Sequence, residues 1–226
     1  MGFGTNDTSG LKTTYFKIEG LKQGSKEVYF SAKQKKDDKY VDLSDIKPTF
    51  IEGTLKELKF DEYEYEGKVK KQIRITLEDM TDRCVLTMGF SGLAVNILNT
   101  LAGCEEDIGN VKLNVYMSKK GYPSVSVYCN GSEDYKDSKW KWDFQKDLAP
   151  KVEVIKNKKG EVVSRDNAEL IEFLIKYFES DVFQKKIIDK AVGHAHAATP
   201  TTKPDYKTNA KEVAVDDDDD SSDLPF

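Results

Sequence analysis

The sequence predicts a mainly β protein with one helix set among its strands, and three observations predict it. Short runs of alternating apolar and polar residues recur between residues 49 and 129, separated by turn residues. One stretch, residues 92–101, changes to helical spacing, with Val95, Leu98 and Leu101 on one stripe. Beyond Gly193 the composition shifts to Ala, Thr, Pro, Lys and Asp, so residues 199–226 are expected to be disordered. The chain has 226 residues, 38% hydrophobic and 33% charged, enough for one domain with an ordinary core plus appendages.

The first strands fall at residues 15–18 and 27–32, with Gly20 and Gly24 between them, and read as a hairpin ahead of the main domain. Residues 49–58 form a longer strand whose internal Gly53 predicts a bulge or sharp bend. In residues 69–78, Ile73, Ile75 and Leu77 share one face and Gln72, Arg74 and Thr76 the other, the signature of a half-buried strand. Cys84, Leu86 and Met88 continue the alternation, the helix follows, and Gly103 stops it. Two more strands, residues 111–117 and 124–129, flank a turn at residues 118–123. Three strands, a short helix and two strands is the order of the OB-fold, a five-stranded Greek-key barrel. After it comes a polar, lysine-rich stretch, then a helix starting at Asp166, which with Glu169 makes a capping-box-like pair, and a further turn of helix from Ser180. The expected organisation is an N-terminal hairpin extension (1–48), an OB-fold core (49–145), a C-terminal helical extension packed on it (146–193), and a disordered linker with an acidic interaction tail (194–226).

Composition excludes several roles. No run of about 18 apolar residues exists to span a membrane. The first residues lack the basic and apolar regions of a secretory signal, so a cytoplasmic setting is expected. Cys84, Cys104 and Cys129 are odd in number and widely spaced, matching neither a disulfide framework nor a zinc pattern, and read as reduced. His194 and His196 have no acidic partner at useful spacing, and no phosphate-cradling glycine loop occurs. The expectation is a binding protein, not an enzyme, without cofactor or metal.

The net charge of −5 hides an uneven distribution. Of the 40 acidic residues seven lie in residues 212–226, which leaves 33 against 35 basic residues in 1–211, a formal charge of +2. A mildly basic body with a strongly acidic tail can engage an anionic partner and basic protein surfaces at once. The tail joins Asp216, Asp217, Asp218, Asp219, Asp220 and Asp223 to an apolar tip, Leu224, Pro225 and Phe226. The acids steer toward a basic surface, while the Phe226 ring can enter a partner's pocket.

This ending resembles the acidic C-terminus of bacterial single-stranded DNA-binding proteins, which finish in an Asp-rich stretch, a hydrophobic residue, Pro and Phe; Leu224 stands where Ile is commoner. The layout as a whole looks more like the single-stranded DNA-binding proteins of phage replication, which would put the chain in a bacterial host's cytoplasm. The resemblance implies binding to exposed strands with little sequence specificity during DNA replication, recombination and repair. It also implies recruitment of a DNA polymerase, primase or helicase through the tail.

Single strands are held by cations that meet phosphates and by aromatic faces on which bases stack. Strand alternation puts Lys70, Arg74, Lys112, Tyr116 and Tyr128 on outward positions, and the turn adds Lys119, Lys120 and Tyr122. With Lys56 these nine make the candidate DNA-binding set. Tyr63 and Tyr65 lie in an expected loop, residues 59–68, beside Asp61, Glu62, Glu64 and Glu66, whose charge repels phosphate. Trp140 and Trp142 would share a face in an extended run, and core packing on the C-terminal helix is the favoured role for both. An RNA-binding, cold-shock-like module would use the same residue types. An adaptor that meets no nucleic acid is the third reading.

Overall fold

The computed structural model describes residues 11–21, 25–36, 39–104, 107–131, 139–143, 150, 153–160 and 162–187. The linker and acidic tail (194–226) lie outside these, as does the expectation that they are disordered.

Eight strands form one sheet: β1 (Lys12–Glu19), β2 (Tyr29–Lys36), β3 (Lys39–Asp42), β4 (Phe50–Tyr65), β5 (Lys68–Glu78), β6 (Asp82–Gly89), β7 (Asn110–Met117) and β8 (Pro123–Cys129). Their order is β3-β2-β1-β6-β5-β4-β7-β8. All neighbours are antiparallel except β1 and β6, so the sheet is mixed. β4, β5 and β6 follow one another as hairpins. The chain then returns through α1 (Gly92–Gly103) to lay β7 beside β4, giving the 4-1-2-3 order of a Greek key. The N-terminal hairpin is part of the same sheet, because β1 pairs along the free side of β6.

Over most of the sheet, alternate strand residues face a common core. Phe16, Phe30, Leu55, Leu58, Ile73, Ile75, Leu77, Leu86, Leu113 and Val127 are buried there with Ile97, Leu98 and Leu101 of α1. Ser91 caps α1, its Oγ accepting from the Ala94 amide at 3.3 Å. Gly103 is demanded by a close approach, since a Cβ there would stand 1.9 Å from the Lys139 carbonyl oxygen.

In β4 the irregularity lies at residues 55–57, two residues past Gly53. Leu55 faces Leu77 and Glu57 faces Thr76, so Lys56 is the extra residue of a bulge. Gly53 serves instead to let the backbone of Glu78 approach, at 3.0 Å from where a Cβ would be. The expected loop at 59–68 is also corrected. Both strands run on to a two-residue turn at Glu66 and Gly67, with φ of 52° and 70°, the left-handed pair that a tight hairpin needs. Period-two alternation fails in that ribbon because both of its faces are exposed from residue 62 to residue 70.

Past β8 the structure adds a separate hairpin, β9 (Glu153–Lys156) and β10 (Val162–Asp166), that the polar composition concealed. Asp166 ends β10, and Asn167 rather than Asp166 is the first cap of α2 (Ala168–Phe178), without a side-chain cap hydrogen bond. α2 buries Leu170, Leu174 and Phe178, and α3 (Asp181–Gln184) starts at Ser180 as expected. The two tryptophans separate. Trp142 is buried against Phe173 and Tyr177 of α2, whereas Trp140 is 41% exposed and donates from Nε1 to Asn96 at 2.9 Å.

The cysteines are corrected too: Cys104 and Cys129 are joined in a disulfide. They are 25 residues apart in sequence, and only the fold brings the end of α1 to the end of β8. Cys84 is free and half-buried, and burial, with the charges of Asp79 and Asp82, pushes its thiol up to about 11.

Two measurements follow from these placements. Trp142→Ala should cost about 3–5 kcal/mol in urea unfolding, as large-to-small core changes do, and Trp140→Ala clearly less. At pH 8 the raised Cys84 pKa leaves roughly a hundredfold less thiolate than an ordinary cysteine, so iodoacetamide should label it correspondingly slowly. Unfolding in urea should restore the normal rate. Between about pH 9 and 11 the unfolded chain sheds a proton that the folded chain keeps, so stability should fall as pH climbs through that window.

Candidate nucleic-acid interface

The core face of the sheet is filled by α1 and the C-terminal helices, so binding chemistry is confined to the outer face and the turns. On that face cross-strand register sets β7 and β8 side by side: Lys112 opposite Tyr128, Asn114 opposite Ser126, Tyr116 opposite Ser124. On the other side of β7, Phe50 faces Asn114 and Glu52 faces Lys112. Lys112 holds its ammonium 4.8 Å from the centre of the Phe50 ring, a cation–π contact, while Glu52 accepts from Asn110 at 2.8 Å.

The β7–β8 turn is built to present its lysines. The Ser118 amide donates to the Tyr122 carbonyl, the Gly121 amide to the Ser118 carbonyl, both at 2.8 Å, and Ser118 Oγ accepts from the Tyr122 amide at 3.0 Å. Lys119 and Lys120 therefore occupy the two central positions of a β-turn, and both are exposed. Gly121 takes φ of 77° to leave it. Three large rings stand open to solvent in this region: Phe50, Tyr116 and Tyr122, at 50%, 43% and 59% exposure. Six of the nine expected residues, Lys112, Tyr116, Lys119, Lys120, Tyr122 and Tyr128, thus belong to one hairpin.

The other three lie elsewhere. Lys56 is at the bulge and half-buried. Arg74 faces outward on β5 but is engaged by Asp61, with N to Oδ2 at 2.6 Å. That Asp61 oxygen is buried and accepts no well-aligned hydrogen bond, so the ion pair is what compensates it. Lys70 lies over the Tyr65 ring at 4.4 Å, far out on the β4–β5 ribbon.

Charge pairing grades these positions. Cations on the β2, β4, β5 and β6 part of the outer face meet carboxylates: Lys33 with Asp42, Lys59 with Glu57, Arg74 with Asp61, and Arg83 with Glu78. A phosphate arriving there must displace or oppose an acid. Lys112 and Lys47 instead lie over rings, Lys47 at 4.9 Å from the Tyr29 centroid. Ring and cation together match one base and its phosphate. Phe50 and Lys47 stand outside the set expected from sequence. Phe50 was detectable, because alternation with buried Ile51 turns it outward, whereas Lys47 lies in a connection with no period.

Among the described residues, no three His, Cys, Asp or Glu side chains are grouped so as to hold a metal ion. No described helix is long and apolar enough to cross a membrane. No protein-family model, curated protein or solved structure matches the chain.

The ring contact of Lys112, the exposure of the turn lysines and the ion pair of Arg74 predict different responses to cation-to-alanine changes in salt-dependent binding to a single-stranded oligonucleotide. Lys112→Ala and the paired change Lys119→Ala with Lys120→Ala should each flatten the logarithmic salt slope, by about 0.7 for every phosphate that no longer meets a cation. Arg74→Ala should change the slope less, its charge being already countered by Asp61.

Proposed function

We propose that this chain is a non-catalytic protein that binds single-stranded DNA with little sequence preference, through the outer face of β4, β7 and β8. The observation that carries the reading is the outward grouping of Phe50, Tyr116 and Tyr122 with Lys112, Lys119 and Lys120, carried by the start of β4 and by the β7–β8 hairpin with its turn. Each ring can stack a base of any kind, worth about 1–3 kcal/mol, and each lysine can meet a phosphate. Groups of this sort do not read base edges, so sequence preference is weak.

The finer fold reading belongs with this function. The Greek-key order of β4 to β7, the helix after the third strand and the fifth strand β8 support an OB-fold reading, and in that fold the fourth connecting loop contributes to strand binding. Here that loop is the Lys119–Lys120 turn. β1, β2 and β3 enlarge the sheet beyond the five strands. The acidic run at 216–223 with Leu224, Pro225 and Phe226 supports a second role, recruitment of replication proteins such as a polymerase, primase or helicase. Work on exposed strands in replication, recombination and repair is the setting in which the two roles combine, in the cytoplasm of the host.

Titration of a fluorescent oligo-dT with the full chain, and with a version ending at Glu212, tests both roles. Binding should be salt-sensitive, and removal of the acidic run should tighten it most at low salt, where screening is weakest. Tyr122→Ala should weaken binding at every salt concentration with little change of slope. A matched RNA oligonucleotide that outcompetes DNA would favour an RNA-binding module, and the absence of salt-sensitive binding would favour an adaptor.

A further inference from the structure

Where β2 begins and β7 ends, the two strands form the walls of a groove of about 370 Å³. Its floor is the segment leading into β4, which is hydrogen-bonded to both walls. The Phe30 amide donates to the Pro48 carbonyl and the Val115 amide to the Thr49 carbonyl, each at 2.8 Å. Tyr29 lines the groove from the β2 side and Tyr116 from the β7 side, with Lys26 and Lys47 at its margin and Asn114 on the β7 wall.

The geometry points to a subsite for one nucleotide of the bound strand, with its base between Tyr29 and Tyr116 and its phosphate at Lys26 and Lys47. The inference rests on the single-strand reading above and adds the N-terminal strands to it, since neither Tyr29 nor the lysines belong to the β7–β8 hairpin. Volume, charge and continuity carry it. The groove is at the small end of ordinary ligand sites, room for one nucleotide and not two. Lys47 lies 4.9 Å from the Tyr29 centroid, so a nucleotide whose base packs against that ring has a cation within reach of its phosphate. Glu27 also lines the groove, and the phosphate is therefore assigned to the Lys26 and Lys47 side of it. Tyr116 belongs to the hairpin face as well, so a strand lying along β7 reaches the groove without leaving the protein.

The test compares two probes of the same length, about 15 nucleotides to cover a site of this kind: fluorescent oligo-dT and an abasic oligomer with the same phosphates and no bases. Tyr29→Ala should weaken oligo-dT binding about tenfold, within the range for one stacked base. Tyr29→Phe should bind as the unaltered protein does, and on the abasic oligomer all three should be equal. The urea midpoint of Tyr29→Ala, read beside its binding, should match that of the unaltered protein, which separates loss of the ring from loss of the fold. Weakening on both probes alike, or on neither, would overturn the subsite while leaving binding through Lys112 and the turn intact. If the unaltered protein does not bind oligo-dT at all, the broader reading falls and the subsite with it.

Discussion

The buried amide of Asn99 is the contact on which the C-terminal third of the fold depends. It is 1% exposed and meets the backbone of Trp142 twice, donating from Nδ2 to the carbonyl at 2.8 Å and accepting at Oδ1 from the amide at 2.9 Å. A buried side-chain amide without partners would cost more than it returns; satisfied at both ends, it fixes one segment in one place. That segment carries the Trp142 ring onto Phe173 and Tyr177 of α2. Phe178, packed on Phe183 and tilted against Phe60, then ties the helices back to β4. Gly103 belongs to the same arrangement, because α1 and the Lys139 backbone can come so close only where no side chain intervenes. One polar clamp and one missing methyl thus let an aromatic cluster close one side of the sheet, and the opposite side faces solvent.

That exposed side is divided by chemistry. Toward β5, β6 and β2, Lys33, Lys59, Arg74 and Arg83 are matched with carboxylates, and an anionic polymer gains little from those four. Toward β7 and the start of β2, Lys112 and Lys47 rest on rings, Glu52 is hydrogen-bonded to Asn110, and Glu27 lines the groove. A protein with a net charge of −5 can therefore present a locally attractive track, which total charge does not reveal.

What the residues disclosed, and what they withheld, follows from which interactions are periodic. Strands β4 to β8 and α1 were legible because each has a wet side and a dry side, so Ile73, Ile75 and Leu77 announced their own face. The β4–β5 ribbon was read as a loop because solvent on both sides erases alternation around Tyr63 and Tyr65. The β9–β10 hairpin was missed in a stretch whose lysines and asparagines gave no apolar pattern. The pairing of Cys104 with Cys129 and the parting of Trp140 from Trp142 depend on tertiary approach, to which spacing is blind. On the candidate surface, outward lysines and tyrosines were readable from parity, but the acid that engages Arg74 was not, because Asp61 reaches it from the neighbouring strand.

The bulge at Lys56 acts on β4 as a phase slip. Before it the outward positions are the even ones, Phe50, Glu52 and Thr54; after it they are the odd ones, Glu57, Lys59 and Asp61. A single strand thereby contributes a ring to one surface and an acid-rich edge to another, without a break in its ladder. Counting by twos from Phe50 would run straight into the core at Leu58, which is 3% exposed. The two halves of β4 are consequently free to diverge separately, and deletion of one residue at that point would exchange inside for outside along the whole of either half.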